Sequence, residues 1–291
     1  MGRELADVAE LLLGMRSQRR YLLLDTIART RRSTVFHAID QLLAREVALK
    51  VQHDSDDETV WRVIAEAQAM ARFDDPNIVR VHDFGRHEGW LYLVMELCDE
   101  NVETWRRGRP WADVLDQLVE AGRGLAAVHA AGLVHADVKP ENIFVKDGAA
   151  KIGDFGLVTS PGWSTRISGT LGYIAPEVAD GRQSAASDVF AFACTVWACL
   201  VGRPPFGEPP PGADTSAGAL VLVERARAGA FGELDRAAAP PPRAIIAALR
   251  RALQPDPERR PALDGLLAQL EALRSAGALG RWVWTLRLDA R

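Results

Sequence analysis

The sequence predicts an α+β fold in which a small, mostly antiparallel sheet with one helix precedes a larger helical lobe. Short apolar runs of strand length dominate the first third of the 291 residues. Later in the chain, apolar residues recur at helical spacing or fill whole helices. We therefore expect a small lobe over 21–97 and a large lobe over 99–273, with a helical extension over 1–20 and a tail over 274–291.

The small lobe is predicted to contain five strands and one helix. The helix begins at the capping-box pair Ser55 and Glu58, and the spacing of its apolar residues gives it one apolar face. The strands are 21–27, 34–39, 46–51, 78–84 and 90–97. A turn-like segment separates the last two strands, which is typical of antiparallel neighbours.

The large lobe is predicted to be built around two long helices. The first covers 111–131 and ends at Gly132, a favourable C-terminal cap. Ser187 or Asp188 is expected to cap the second, which extends to Leu200 and is apolar on every side. A helix that is apolar all round is buried all round, so it should form the centre of this lobe.

Composition excludes several classes of protein. The 48% hydrophobic and 25% charged content is globular, and a net charge of −4 gives no nucleic-acid-binding footprint. Three cysteines cannot build a disulfide framework, and no spacing suggests zinc, so a reducing cytoplasm fits best. The most apolar run, 189–201, is shorter than the roughly 18–20 residues a membrane span needs. We expect no nucleic-acid partner and no membrane partner.

Five polar motifs occur in a fixed order along the chain. They are Val47-Ala48-Leu49-Lys50, then Glu66, then the segment from His135 to Asn142, then Asp154-Phe155-Gly156, and finally Ala175-Pro176-Glu177. This order and spacing resemble the signature set of protein kinases over about residues 21–273. The resemblance is to the eukaryotic-like (Hanks-type) serine/threonine protein kinases of bacteria, and it implies their two-lobed fold.

The resemblance also implies a role for each motif residue. Transfer of a terminal phosphoryl group needs positive charge and positioning more than covalent chemistry. Lys50 would hold the α- and β-phosphates of ATP, and Glu66 would fix Lys50 by an ion pair. Asp137 would accept the proton of the incoming hydroxyl, and Lys139 would neutralise the migrating phosphoryl group. Lysine at position 139 is typical of serine/threonine kinases.

The remaining implied contacts belong to the metal and the nucleotide. Asn142 and Asp154 would supply hard oxygen ligands for Mg²⁺. Met95 would line the back of the adenine pocket, and Ala48 and Phe144 would sandwich the ring. The full set of implied nucleotide contacts is Ala28, Val35, Ala48, Lys50, Met95, Glu96, Cys98 and Phe144.

The glycine-rich phosphate loop of the family lacks its glycines here. Aligned by Val35, the pattern falls on residues 28–33, which read Ala-Arg-Thr-Arg-Arg-Ser. Glycine serves there because it permits close approach of the backbone and positive φ. Two interpretations remain open. Either Arg29, Arg31 and Arg32 compensate with side-chain charge, or nucleotide binding is weak or lost and the chain is a pseudokinase acting as a nucleotide-binding or allosteric scaffold.

A second departure is Ala136, where many kinases have the arginine that gathers an activation-segment phosphate. Our hypothesis is that activity does not depend on phosphorylating the nearby hydroxyls, although autophosphorylation there is possible. These hydroxyls are Ser164, Thr165 and Ser168. Thr170 matches the threonine that contacts the catalytic aspartate in serine/threonine kinases.

Several further residues are expected to be structural. Arg260 resembles the arginine that pairs with Glu177 of the Ala-Pro-Glu motif. The resemblance also implies an internal apolar column of four side chains, Met70, Val81, His135 and Phe155.

The two flanks are candidate docking sites. Apolar residues alternate in the tail at Trp282, Trp284, Leu286 and Leu288, a strand-like pattern. Such a tail could pair with a sheet edge, bind a partner or pack on its own domain, and self-packing is favoured. The same alternatives apply to the N-terminal helix.

The sequence therefore predicts phosphorylation of protein Ser/Thr hydroxyls with ATP and Mg²⁺. A non-catalytic scaffold is the alternative. A small-molecule phosphotransferase is disfavoured by residues 169–177, which resemble a peptide-positioning platform.

Overall fold

The computed structural model describes residues 20–53, 56–87, 90–163, 169–210, 215–232 and 241–288. The chain divides into two compact units, Met1–Asp99 and Glu100–Arg291. The expected N-terminal helix up to residue 19, Ser55 and the three hydroxyls of residues 164–168 lie outside the described residues.

The first unit contains a five-stranded sheet in the order β1-β2-β3-β5-β4, with every neighbouring pair antiparallel. The strands are β1 Tyr21–Arg29, β2 Ser33–Asp40, β3 Arg45–Gln52, β4 Val81–His87 and β5 Trp90–Glu96. The five predicted strands are confirmed, but β4 begins three residues later than expected. Ile78 and Val79 are buried ahead of the strand, so their apolar character reflects burial and not ladder pairing.

Alternation along β3 gives the sheet two different faces. Val47, Leu49 and Val51 point into one buried cluster. The other members of this cluster are Tyr21, Leu23, Phe36, Ala38 and Val94. The intervening residues Ala48 and Lys50 therefore occupy the opposite face.

Helix α1, Asp57–Met70, lies between β3 and β4 in sequence. Its cap differs from the expected pair Ser55 and Glu58. Asp56 is the N-cap, and its carboxylate accepts a hydrogen bond from the Thr59 N–H at 2.7 Å. This bond lowers the pKa of the Asp56 carboxyl. Aspartate at this position satisfies an otherwise orphaned N–H of the first turn, which explains the start of the helix.

The second unit is mainly helical, which confirms the α+β class. Its helices are α2 Val102–Trp105, α3 Trp111–Ala130, α4 Pro176–Ala179, α5 Ala185–Val201, α6 Thr215–Arg227, α7 Arg243–Ala252 and α8 Leu263–Leu288. Short strands β6 Glu100–Asn101, β7 Ile143–Lys146 and β8 Ala149–Ile152 form one sheet, and β9 Gly162–Trp163 pairs with β10 Arg182–Gln183. Single 3₁₀ turns occur at Pro140–Asn142 and Pro257–Arg259.

Helix α5 is buried on all sides, as its composition predicts. It packs against α3 and α7 within the second unit. The helix starts earlier than expected, because Ser184 is the N-cap and its N–H donates to the Ser187 hydroxyl at 3.2 Å. It ends at Gly202, whose φ of +90° is the left-handed conformation that glycine adopts without strain.

The strand-like interpretation of the tail is wrong, because α8 continues to Leu288. Trp282 and Leu286 are four residues apart, as are Trp284 and Leu288, so the same apolar positions also fit a helix. Extending an existing helix needs no new nucleus, which favours the helical alternative. Among the described residues, no helix is both long enough and apolar enough to cross a membrane.

A buried ion pair connects three segments of the second unit, and its two residues are those that the family resemblance implies. Arg260 donates to both carboxylate oxygens of Glu177 at 2.6 and 2.8 Å. The side chains of Arg260 and Glu177 are 0% and 4% exposed. Arg260 also donates to the carbonyl oxygens of Gln254, Pro255 and Ala186. This pair links helix α4, the start of α5 and the segment before α8.

We expect Arg260→Leu to lower the free energy of unfolding by about 3–5 kcal/mol, because Glu177 would remain as an unpaired buried charge. The neighbouring Arg259 is 75% exposed and is the matched control, so Arg259→Leu should change stability by no more than about 0.5 kcal/mol. Denaturant unfolding measures both. Equal losses for the two variants would contradict a structural role for the pair.

Candidate active site

The implied site residues fall in both units, and those of the first unit share one face of its sheet. Val35 lies between two ladder partners, Ala28 on β1 and Lys50 on β3. Ala48 is opposite Met95 on β5. Directly opposed residues share a face, as do alternate residues of one strand. All five therefore lie on the face opposite the apolar cluster, with the glycine-free segment at the β1–β2 turn.

Lys50 and Glu66 form a close ion pair within the first unit. Lys50 Nζ donates to Glu66 Oε1 at 2.7 Å. The two side chains are 13% and 2% exposed, so water screens the pair weakly. The pair fixes the position of the Lys50 ammonium group, which is the geometry that phosphate binding requires of it.

Glu96 has a bonding pattern that the sequence did not reveal. Its N–H donates to the Arg80 carbonyl oxygen at 2.9 Å, and its Oε1 accepts from the Arg80 N–H at 2.8 Å. These bonds hold the end of β5 against the start of β4. Cys98, two residues further on, is half-buried.

In the second unit, three side chains place the carboxylate of Asp137. Thr170 Oγ1 donates to Oδ1 at 2.8 Å, and Lys139 Nζ donates to Oδ2 at 2.8 Å. Lys139 Nζ also donates to Thr170 Oγ1 at 2.7 Å, which closes a triangle of bonds. Asn142 Nδ2 donates to Oδ2 at 3.0 Å. A carboxylate offers about four lone-pair positions. Among the described residues these are the side-chain donors to the carboxylate, so one position on Oδ1 remains for a further donor.

Asn142 and Asp154 fit the requirements of a hard divalent cation. The Asn142 amide nitrogen is committed to Asp137, so its Oδ1 is the atom suited to a cation. Gly153 N–H donates to the Asn142 carbonyl oxygen at 2.9 Å, which ties the segment carrying Asp154 to Asn142. The described residues contain no group of three or more His, Cys, Asp or Glu arranged as a metal site. A cation that keeps phosphate and water ligands, as Mg²⁺ does, suits such a sparse set.

Asp188 holds the backbone of the loop that carries Asp137. Its carboxylate accepts from the N–H groups of His135 at 2.7 Å and Ala136 at 2.9 Å. The Nε2 atom of His129 lies 2.8 Å from the same carboxylate, which is 1% exposed. Sequence reasoning treated Asp188 as a possible helix cap and missed this role. The available signal was a charge inside an otherwise apolar helix, since a buried charge must be paired.

His135 and Phe155 pack together as expected. Their ring centroids are 5.0 Å apart in an edge-to-face arrangement, and both rings are buried. Asp137 N–H donates to His135 Nδ1 at 3.3 Å, so the ring proton belongs on Nε2, which faces the Gly153 carbonyl oxygen at 3.1 Å. Phe144 lies on β7 and is half-buried. Met70 is buried in the first unit.

Comparison with known proteins identifies similar chains. The profile of the family described as protein kinase domain matches residues 21–270. Serine/threonine-protein kinase PknL of Mycobacterium tuberculosis is 39% identical over 201 residues, covering 64% of this chain and 50% of PknL. Serine/threonine-protein kinase PknA of the same species is 40% identical over 216 residues, covering 67% of this chain and 49% of PknA.

A probable serine/threonine-protein kinase, pknA2 of Bifidobacterium longum, is 36% identical over 204 residues, which cover 64% of this chain and 27% of that protein. The chain thus spans about half the length, or less, of the curated relatives it matches. The family match includes all five ordered motifs and covers nearly the whole range, about 21–273, over which the sequence resembles protein kinases, and this confirms the resemblance. The chain belongs to the protein kinase family.

Proposed function

We propose that this chain transfers the terminal phosphoryl group of ATP to serine and threonine hydroxyls of protein substrates. The environment of Asp137 is the observation that carries the proposal. Within the described part of the chain, Lys139, Thr170 and Asn142 occupy three of its lone-pair positions and leave one on Oδ1. A substrate hydroxyl that donates to this position is oriented for attack, and Asp137 is in place to take its proton.

Lys139 has two tasks in this proposal. Its ammonium group orients Asp137 and Thr170, and it places positive charge beside the oxygen atoms of the transferred group. In the first unit, Lys50 is suited to the nucleotide phosphates because Glu66 holds its ammonium group in place. Asn142 Oδ1 and the Asp154 carboxylate would hold Mg²⁺. Bound there, the metal would neutralise developing charge on the phosphate oxygens.

The nucleotide base would be held by the apolar residues implied by the resemblance. Ala48 on β3 and Met95 on β5 lie directly opposite each other, on the same face of the sheet as Lys50. We also propose that the catalytic domain extends over residues 21–273, and that the flanking segments dock partners or pack on the domain.

Two observations support serine and threonine as the residues that accept the phosphoryl group. Lys139 and Thr170 are typical of serine/threonine kinases, and the curated relatives are named as such kinases. We propose the cytoplasm as the site of action. Cys98, Cys194 and Cys199 are free thiols, as a reducing compartment requires. Burial raises the pKa of the Cys194 and Cys199 thiols, which makes both unreactive.

Two features weigh against a non-catalytic scaffold. A scaffold that binds no nucleotide has no need of the Lys50–Glu66 pair at 2.7 Å. A scaffold of either kind has no need of a carboxylate at Asp137 that Thr170, Lys139 and Asn142 orient. The decisive comparison is therefore between phosphoryl transfer and nucleotide binding alone.

With labelled ATP and Mg²⁺, the purified chain is expected to phosphorylate itself or a generic protein such as casein. Asp137→Asn should lower kcat by about 10²–10⁴, because the general base is lost. Asp154→Asn should also abolish most transfer, because a proposed cation ligand is lost. Asp113→Asn, at an exposed residue in the first turn of α3, is the matched control.

If the Asp137→Asn variant transferred phosphate at the wild-type rate, the proposed mechanism would be contradicted. Nucleotide binding without any transfer would favour the scaffold. Transfer to a small alcohol but to no protein would favour a small-molecule phosphotransferase.

Activity is expected not to require activation-segment phosphorylation, because Ala136 provides no guanidinium group to receive the phosphate. Phosphatase-treated protein should keep its initial rate within about twofold, since no charge-assisted contact is lost. The triple variant Ser164→Ala, Thr165→Ala, Ser168→Ala provides the control for incomplete dephosphorylation. An inactive dephosphorylated enzyme that regains activity on phosphorylation would refute this expectation.

A further inference from the structure

The side chain of Thr30 stabilises the turn between β1 and β2 by hydrogen bonds to the backbone of the turn. Thr30 Oγ1 accepts from the N–H groups of Arg32 at 3.2 Å and Ser33 at 3.0 Å. Thr30 N–H donates to the Ser33 carbonyl oxygen at 2.9 Å, which closes the turn. None of residues 28–33 has a positive φ. The turn therefore needs no glycine, since no residue adopts the left-handed conformation that glycine favours.

His53, just after β3, anchors the same turn from the neighbouring strand. Its N–H donates to the Arg32 carbonyl oxygen at 2.8 Å, and its Nδ1 donates to the Arg31 carbonyl oxygen at 3.1 Å. Its Nε2 lies 2.8 Å from Thr34 Oγ1. Nδ1 must carry a proton because a carbonyl oxygen only accepts, so a neutral ring accepts from the Thr34 hydroxyl. Both carbonyl groups at the tip are thereby fixed.

These bonds reduce the number of backbone N–H groups that the turn can donate to a phosphate group. A glycine-rich loop directs its backbone N–H groups at phosphate oxygens. Here the N–H groups of Arg32 and Ser33 are already bonded to Thr30 Oγ1. A contact between this turn and a polyphosphate must therefore come mainly from side chains.

The side chains available are exposed cations. Arg31 and Arg32 occupy the tip of the turn, and both are exposed. Within the described residues, neither guanidinium group makes a hydrogen bond or an ion pair. Arg29 is on β1, and strand alternation places it on the face opposite Ala28. Arg31 and Arg32 are thus the two cations that the turn presents at its tip.

We propose that Arg31 and Arg32 bind the polyphosphate of the nucleotide through their side chains, with Thr30 and His53 as positioning residues. This inference rests on the proposed function, because it assigns a phosphate contact to the same nucleotide. Guanidinium groups form paired, charge-assisted bonds with phosphate oxygens. A turn that is ordered before binding loses less conformational entropy when the ligand arrives. Fixed side-chain charge thus replaces the close backbone approach that glycine allows.

Direct calorimetric titration with ATP, and separately with adenosine, tests the arginine contacts. The double variant Arg31→Ala, Arg32→Ala should raise the Kd for ATP by about tenfold or more, because charge-assisted bonds are lost. The Kd for adenosine should stay within about twofold, since adenosine has no phosphate for these side chains to bind. Arg251→Ala, at an exposed arginine of α7, is the matched control.

The positioning residues are tested by variants that keep or remove the hydroxyl. Thr30→Val should raise the Kd and the KM for ATP by about threefold or more at nearly unchanged kcat, whereas Thr30→Ser should restore both constants. His53→Phe should behave like Thr30→Val. Thr26→Val, at an exposed residue of β1, is the matched control.

An unchanged Kd for ATP in the double arginine variant would overturn the inference, even if the wild type phosphorylates protein. A KM that rises equally with valine and serine at position 30 would overturn the positioning role. If the wild type transfers no phosphate but binds ATP through the two arginines, the proposed function fails and this inference stands.

Discussion

The conformation of the loop that carries Asp137 depends on the carboxylate of Asp188. This carboxylate is buried at the start of a helix that is apolar on every side, so it has no water to solvate it. A hydrogen bond to a charged group contributes about 1.5–3 kcal/mol, so its donors hold the carboxylate strongly. These donors are the N–H groups of His135 and Ala136 and the ring of His129.

The fixed loop explains both the strained backbone of Ala136 and the position of the Asp137 carboxylate. Ala136 has a φ of +66°, which costs energy for a residue with a Cβ and persists where surrounding bonds impose it. The next residue, Asp137, then meets Lys139 and Thr170 at hydrogen-bonding distance. Gly169, with a φ of +118°, brings its backbone so close that a Cβ would lie 3.3 Å from the Ala136 carbonyl oxygen. Glycine at 169 therefore lets Thr170 approach the loop.

Local patterns were predicted from the sequence, whereas bonds between distant residues were predicted only where a family motif marks them. The strands and helix α3 followed from spacing, because burial and periodicity constrain such elements directly. The Arg260–Glu177 pair joins residues 83 positions apart and was implied by the family resemblance alone. The bonds between Asp188 and the loop that carries Asp137 were missed, since their acceptor lies more than fifty residues away from the donors. The cap at Asp56 and the turn at Thr30 were missed because side-chain bonds to backbone leave little trace in composition. The tail was misread because its apolar spacing fits a strand and a helix equally well.

The steady-state kinetics of Asp188→Asn test this account most directly. The amide preserves shape but points an N–H group at one of the loop N–H groups, leaving a buried donor unpaired at a cost of about 1–3 kcal/mol. We expect a folded protein whose kcat falls about tenfold or more, while its Kd for ATP stays within about twofold. A folded Asp188→Asn variant with the wild-type kcat would contradict the claim that this carboxylate sets the geometry of Asp137.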